Sequence, residues 1–182
     1  SIIPQDTLVK LAYLKDSGYS NFAPFTKSSN VYVVSSEDGV VRKVNTVAGD
    51  LCMVNITADG KRILFHNKAA NRTYIVDWDG SNERIVTTGG LLLEYWRDRS
   101  NGTDWAVIDN NGQSRINVDA TSSKVTLSPF GCGGLGGGLS DDGTRVVVYN
   151  NGWGSAAVGS STIQKGNGGC QGSMRAGPVA QW

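Results

Sequence analysis

Asp59-Gly60-Lys61-Arg62-Ile63-Leu64-Phe65 returns 83 residues later as Asp142-Gly143-Thr144-Arg145-Val146-Val147-Val148-Tyr149. That separation is two periods of about 41 residues, and the midpoint carries the same pattern: Asn101-Gly102-Thr103 followed by Trp105-Ala106-Val107-Ile108. A second marker repeats in step. Glu37-Asp38-Gly39 before Val40-Val41 and Asp77-Trp78-Asp79-Gly80 before Ile85-Val86 place their glycines 41 residues apart, and Asn110-Asn111-Gly112 is a third turn of this kind.

Asp-Gly and Asn-Gly supply the positive φ that tight hairpin turns demand, and β-branched runs flank them on both sides. Each unit therefore reads as a small antiparallel meander with two-residue hairpin turns. Val31-Tyr32-Val33-Val34, Tyr74-Ile75-Val76 and Ala106-Val107-Ile108 read as its buried inner strands, being short apolar runs between turn signals. Only Thr7 to Lys15 has helical spacing, through Leu8, Leu11 and Leu14, and it fits an outer strand equally well.

A period near 41 built from hairpins and β-branched residues matches a propeller blade rather than a helical repeat. The stretch Thr57-Ala58-Asp59-Gly60-Lys61-Arg62-Ile63-Leu64-Phe65, continued by Thr73-Tyr74-Ile75-Val76-Asp77-Trp78-Asp79-Gly80-Ser81-Asn82-Glu83-Arg84-Ile85-Val86-Thr87, resembles the TolB-like β-propeller repeat, and Leu139-Ser140-Asp141-Asp142-Gly143 starts a second copy. The usual serine-proline before Asp-Gly is replaced by Thr57-Ala58 and Ser140-Asp141. The resemblance implies an all-β propeller of four-stranded antiparallel blades. One domain over 1–182 is expected, with blades at roughly 1–47, 48–88, 89–129 and 130–182. About four blades is fewer than such propellers usually close with. Three arrangements follow: a compact four-bladed ring, part of a longer polypeptide, or a ring completed by another copy through its open blade edges. The tail Met174 to Trp182 lacks a recognisable closing strand, which favours the last two.

Composition agrees with many short strands joined by turns: 24 glycines, 4 prolines and 18% charged residues among 182. With 17 basic and 16 acidic side chains the net charge is +1, so no long-range field draws the chain to nucleic acid. The apolar runs are short stretches such as Ile63-Leu64-Phe65 and Leu91-Leu92-Leu93, and none approaches the length needed to cross a bilayer. Ser1 in first place fits a removed signal peptide and fits a partial chain equally. Cys52, Cys132 and Cys170 form no C-x-x-C pair, which argues against zinc or haem. Cys132 and Cys170 both sit in glycine-rich loops where a disulfide would staple the chain, and two thiols are the alternative.

Gly131 to Gly138 lacks the Lys-Ser/Thr of a phosphate loop and reads instead as backbone passing close to its neighbours. Asp77, Asp79 and Glu83 around Ser81 resemble an oxygen-ligand calcium loop, but a hairpin turn explains the same residues. His66 is the sole histidine, no Gly-x-Ser-x-Gly elbow accompanies it, and the carboxylates concentrate at turns, so no catalytic constellation and no cofactor are expected. The candidate ligand-binding residues are Tyr95, Trp96 and Arg97 with Trp105, and later Asn151 and Trp153. Tryptophan beside Asn, Asp and Arg can stack on a sugar ring and bond its hydroxyls, and packing between blades is the competing explanation. Three sequons, at Asn55, Asn71 and Asn101, would accept glycan in a permissive compartment.

The function expected is therefore a non-enzymatic propeller scaffold, extracellular or periplasmic, binding a protein or glycan partner through its loops and axial face. A structural subunit assembling through blade edges is the alternative. A propeller domain of a carbohydrate-active or peptidase-associated enzyme follows behind it.

Overall fold

The computed structural model describes residues 7–16, 29–132 and 138–165. All regular structure in them is β, in four antiparallel sheets that follow one another along the chain. Sheet one contains β1 (Lys10–Asp16), β2 (Ser29–Ser35) and β3 (Arg42–Lys43). Sheet two contains β4 (Leu51–Ile56), β5 (Arg62–Asn67), β6 (Arg72–Asp77) and β7 (Arg84–Thr88). Sheet three contains β8 (Leu91–Arg97), β9 (Asp104–Asp109), β10 (Gln113–Asn117) and β11 (Lys124–Ser128). Sheet four contains β12 (Arg145–Tyr149), β13 (Trp153–Ala157) and β14 (Ile163–Lys165). Every sheet is a simple meander, so sheets two and three are complete four-stranded blades.

The stretch from Thr7 has no helix: β1 pairs with β2 over Lys10↔Ser35 to Asp16↔Ser29, and that ladder outweighs the helical spacing of its leucines. The Asp-Gly loops also differ from the two-residue hairpins expected. Residues 57–61 link β4 to β5 by a turn closed by Gly60 N–H to Thr57 C=O (2.8 Å), and Gly143 N–H to Ser140 C=O (2.8 Å) repeats it. The hydroxyl before each Asp-Gly explains the spelling of the repeat. Thr57 Oγ1 donates to Asp59 (2.7 Å) and accepts the N–H of Arg62 (3.0 Å); Ser140 Oγ donates to Asp142 (2.6 Å) and accepts the N–H of Arg145 (2.9 Å). The loop at Asn111-Gly112 places both residues at positive φ, as Asn-Gly favours.

The blades stack face to face. Val31, Val33 and Val44 of the first unit pack on Leu51, Ile63, Phe65, Tyr74 and Val76 of the second. The opposite face of sheet two, through Leu64, Ile75 and Val86, packs on Leu92, Ala106, Ile108 and Ile116. Trp96, Trp105, Val107 and Leu127 then pack on Leu139, Val146, Val148 and Ala156. A fully buried side chain such as Phe65 contributes about 2 kcal/mol through removal from water. Strand alternation supplies both faces: Ile63 and Phe65 look one way while Leu64 looks the other.

Four blades joined by three such cores form an open fan. The outer face of sheet one carries Leu11, 53% exposed, next to Tyr13 stacked on Tyr32 with ring centroids 5.9 Å apart, and Val41, 54% exposed, lies beyond β2. The far face of sheet four carries Tyr149, 46% exposed and edge-on to Trp153 at 5.4 Å.

Candidate functional site

The structure distributes the six candidate residues over three places. Tyr95 and Arg97 face sheet two. The Tyr95 hydroxyl donates to Asp104 Oδ1 (2.6 Å) and accepts the N–H of Ala58 (3.1 Å), and Arg97 reaches the same carboxylate at 3.3 Å. Arg62 of sheet two also donates to Asp104 (2.8 Å) and bonds Asp119, which Arg84 joins at 3.1 Å. Asp104 is buried, so this network of side chains is a polar bolt between the second and third blades. The Arg62 guanidinium beside Asp119 holds that carboxyl below its usual range.

Trp96 and Trp105 are a directly opposed cross-strand pair on the face of sheet three that meets sheet four, and they are only 8% and 7% exposed. The Trp96 indole N–H donates to the Ser140 carbonyl (3.0 Å). Arg115, on neighbouring β10, lies over both rings, 4.9 Å from the Trp96 centroid and 4.7 Å from that of Trp105. The two rings thus pack at the blade junction with a cation over them. Asn151 stands in the exposed turn before β13, at positive φ, and Trp153 lies on the outer face of sheet four.

A cleft of about 480 Å³ opens where sheets three and four meet, lined by Trp96, Asp98, Arg99, Ser100, Arg115, Asp141, Asp142 and Gly143. Asp98 receives Ser100 and Asn101, Asp142 receives Ser140 and Thr144, and Asp141 pairs with Arg99 at 2.9 Å. Those hydrogen bonds hold the Asp98 and Asp142 carboxyls below their ordinary range. The Arg115 Nε and the Trp105 Nε1 are buried donors without a hydrogen-bond partner among the described residues. Arg115 is a residue that the sequence patterns did not single out: it stands in a mostly polar strand, Gln113-Ser114-Arg115-Ile116-Asn117, with nothing in its neighbours to mark it. A second cleft, about 400 Å³, occupies the corresponding junction of sheets one and two, where Lys10 lies 4.5 Å over the Trp78 ring and donates to the Gly60 carbonyl (2.7 Å).

Two carboxylates of sheet three fasten the glycine-rich segment. Asp109 accepts the N–H of Cys132 (2.8 Å) and its Sγ–H (3.2 Å), and Glu94 accepts the N–H of Leu139. The segment passes close to both carboxylates: a Cβ on Gly131 would fall 2.6 Å from that of Asp109 and would displace it, and one on Gly138 would fall 3.0 Å from that of Glu94. Burial pushes the Glu94 carboxyl up to about 7 against the Leu139 hydrogen bond. His66 is buried inside sheet two with Nδ1 3.1 Å from Thr73 Oγ1, and burial pushes its imidazolium down to about 4. Cys170, the proposed partner of Cys132, lies outside the described residues. Asp77, Asp79 and Glu83 turn to separate partners, namely Asn82, Ser81 and Thr46. Among the described residues no group of three His, Cys, Asp or Glu side chains is placed to hold a metal ion, and no helix is long and apolar enough to cross a membrane.

Four antiparallel blades stacked face to face, turned by a repeated hydroxyl-x-Asp-Gly loop, define a β-propeller fold that the described residues do not close. Among solved structures the fold is similar to TolB from Acinetobacter baumannii, at a TM-score of 0.56 and 11% identity over 75% of this chain and 37% of that one. It is also similar to a chain of the nidogen/laminin complex (TM-score 0.57, 12% identity, 82% and 62% covered). The β-propeller domain of the trilobed protease from Pyrococcus furiosus, described as having an open velcro topology, matches with a TM-score of 0.53 at 12% identity (86% and 53% covered). The chain thus spans between about a third and two thirds of each of these structures. No family model and no curated protein sequence matches it.

Proposed function

We propose that this chain is a non-enzymatic, extracytoplasmic propeller scaffold whose role is to bind a protein partner, and that the partner docks on the outer face of sheet one. The observation that carries this reading is the likeness between that face and the three junctions the fold already buries. Leu11, Tyr13, Tyr32 and Val34 alternate along β1 and β2 as Val31 and Val33 do on the opposite, fully buried side. A contiguous apolar sheet face marks an interaction surface, and a protein supplies the apolar complement that a glycan lacks. Similarity to a chain of the nidogen/laminin complex, itself a protein–protein assembly by its description, supports the choice of a protein. Photocrosslinking from position 11 in extracts of the producing cells tests it, with exposed position 124 on β11 as control. A discrete adduct from position 11 alone is expected; equal adducts from both positions, or none, would overturn the reading.

Self-assembly is a second reading, favoured by Tyr149 and Trp153 on the far face of sheet four. Docking that face onto sheet one of another copy is a heterologous contact that makes rings or fibres. Light scattering over a dilution series distinguishes it, since only self-assembly raises the mass of the chain alone with concentration.

A further inference from the structure

The cleft between sheets three and four holds a guanidinium that no described residue hydrogen-bonds, although its charge is felt by Asp98. Five charged side chains line it, and four are engaged: Arg99 with Asp141, Asp98 with Ser100 and Asn101, and Asp142 with Ser140 and Thr144. Arg115 has its guanidinium over the Trp96 and Trp105 rings and no hydrogen bond or ion pair among the described residues, where its buried Nε and the Trp105 Nε1 behind the cleft lining find no acceptor. Buried donors are normally paired, and an arginine fork fits a planar carboxylate in two parallel hydrogen bonds. Stacking on two rings fixes the fork in place before any ligand arrives, which lowers the ordering cost of binding.

We infer that Arg115 is the receptor for a single carboxylate, an aspartate or glutamate side chain of the partner protein. This rests on the reading of the chain as a protein-binding scaffold. The charge around the cleft selects the source. Asp98, Asp141 and Asp142 outnumber Arg99 and Arg115, so the rim weakens binding of a free single carboxylate without abolishing it and opposes a polyanionic glycan more strongly. One carboxylate carried by a docked polypeptide avoids that penalty, because docking elsewhere supplies a high local concentration. A neutral sugar finds no aromatic platform here, since Arg115 covers the rings.

The test uses the chain alone with small probes, so that its outcome is independent of docking on sheet one. A blocked pentapeptide with a central glutamate, its glutamine counterpart and a uronate oligosaccharide at equal carboxylate concentration are titrated while the Arg115 Nε–H and Trp105 Nε1–H resonances are followed. A saturable millimolar shift of both signals with the glutamate peptide is expected, with at least tenfold less response to the glutamine peptide and to the oligosaccharide. Arg115→Lys keeps the charge but loses the fork, and is expected to weaken the peptide at least tenfold. The wild-type titration stands by itself if that variant fails to fold. Equal shifts with the glutamate and glutamine peptides, a stronger response to the uronate, or no shift at all would each overturn the assignment.

Discussion

Tyr95 and Trp96 are consecutive in β8 and serve different interblade junctions: the Tyr95 hydroxyl donates to Asp104 on the side of sheet two, and the Trp96 indole donates to Ser140 of the fourth unit. Strand alternation separates their energetics as well as their directions. Tyr95→Phe and Asp104→Asn are expected to couple by about 1 kcal/mol or more, because they share a hydrogen bond in a buried network. Tyr95→Phe and Trp96→Phe share no partner, and their effects are expected to add to within about 0.5 kcal/mol. Urea unfolding of the singles and doubles measures both cycles.

Gly143 and Gly39 occupy the same left-handed region, at φ of 71° and 65°, but differ in surroundings. A Cβ on Gly143 would fall 2.9 Å from Trp96, whereas one on Gly39 meets nothing within 4 Å. Gly39→Ala is expected to cost about 1 kcal/mol from backbone strain alone. Gly143→Ala adds overpacking, for a total of about 2–4 kcal/mol. Equal melting temperatures for the two variants would contradict the close approach of the Asp-Gly loop to the Trp96 ring.

His66 and Glu94 impose opposite pH dependences. The imidazolium, lowered from 6.5 to about 4 by burial, makes the unfolded state bind more protons between those values, so its contribution is lost as pH falls through that window. The Glu94 carboxyl, raised from 4.5 to about 7, makes the folded state bind more protons, so its contribution is present at low pH and lost as pH rises through 7. Each is on the order of 3 kcal/mol, and between about pH 4.5 and 6.5 they nearly cancel. Glu94→Gln is therefore expected to expose stability that rises with pH from 4 to 6.5, and His66→Gln stability that falls from 4.5 to 7. Chemical denaturation at stepped pH reads both slopes.

The blade architecture was legible because the Asp-Gly echo has a physical cause: a hydroxyl and a carboxylate that cap the start of β5 and β12 in the same way. The candidate site was legible only in part. Tyr95, Trp96 and Arg97 look like one cluster in sequence, yet alternation sends Tyr95 and Trp96 to opposite faces, and no linear pattern reveals that Arg115 from the next hairpin fills the space over Trp96 and Trp105. Asp104 and Glu94 were equally silent, because what makes them special is a neighbouring blade.

Thiol labelling of Leu11→Cys and Tyr149→Cys, read by peptide mass across a dilution series, tests the open fan most directly. Leu11 and Tyr149 are 53% and 46% exposed, so both thiols should react at the rate of exposed cysteine in dilute solution, with protection arising only when a partner or a second copy is added. Protection of both at every dilution would mean that sheets one and four cover each other in a closed four-bladed ring, and the docking face on sheet one would not exist.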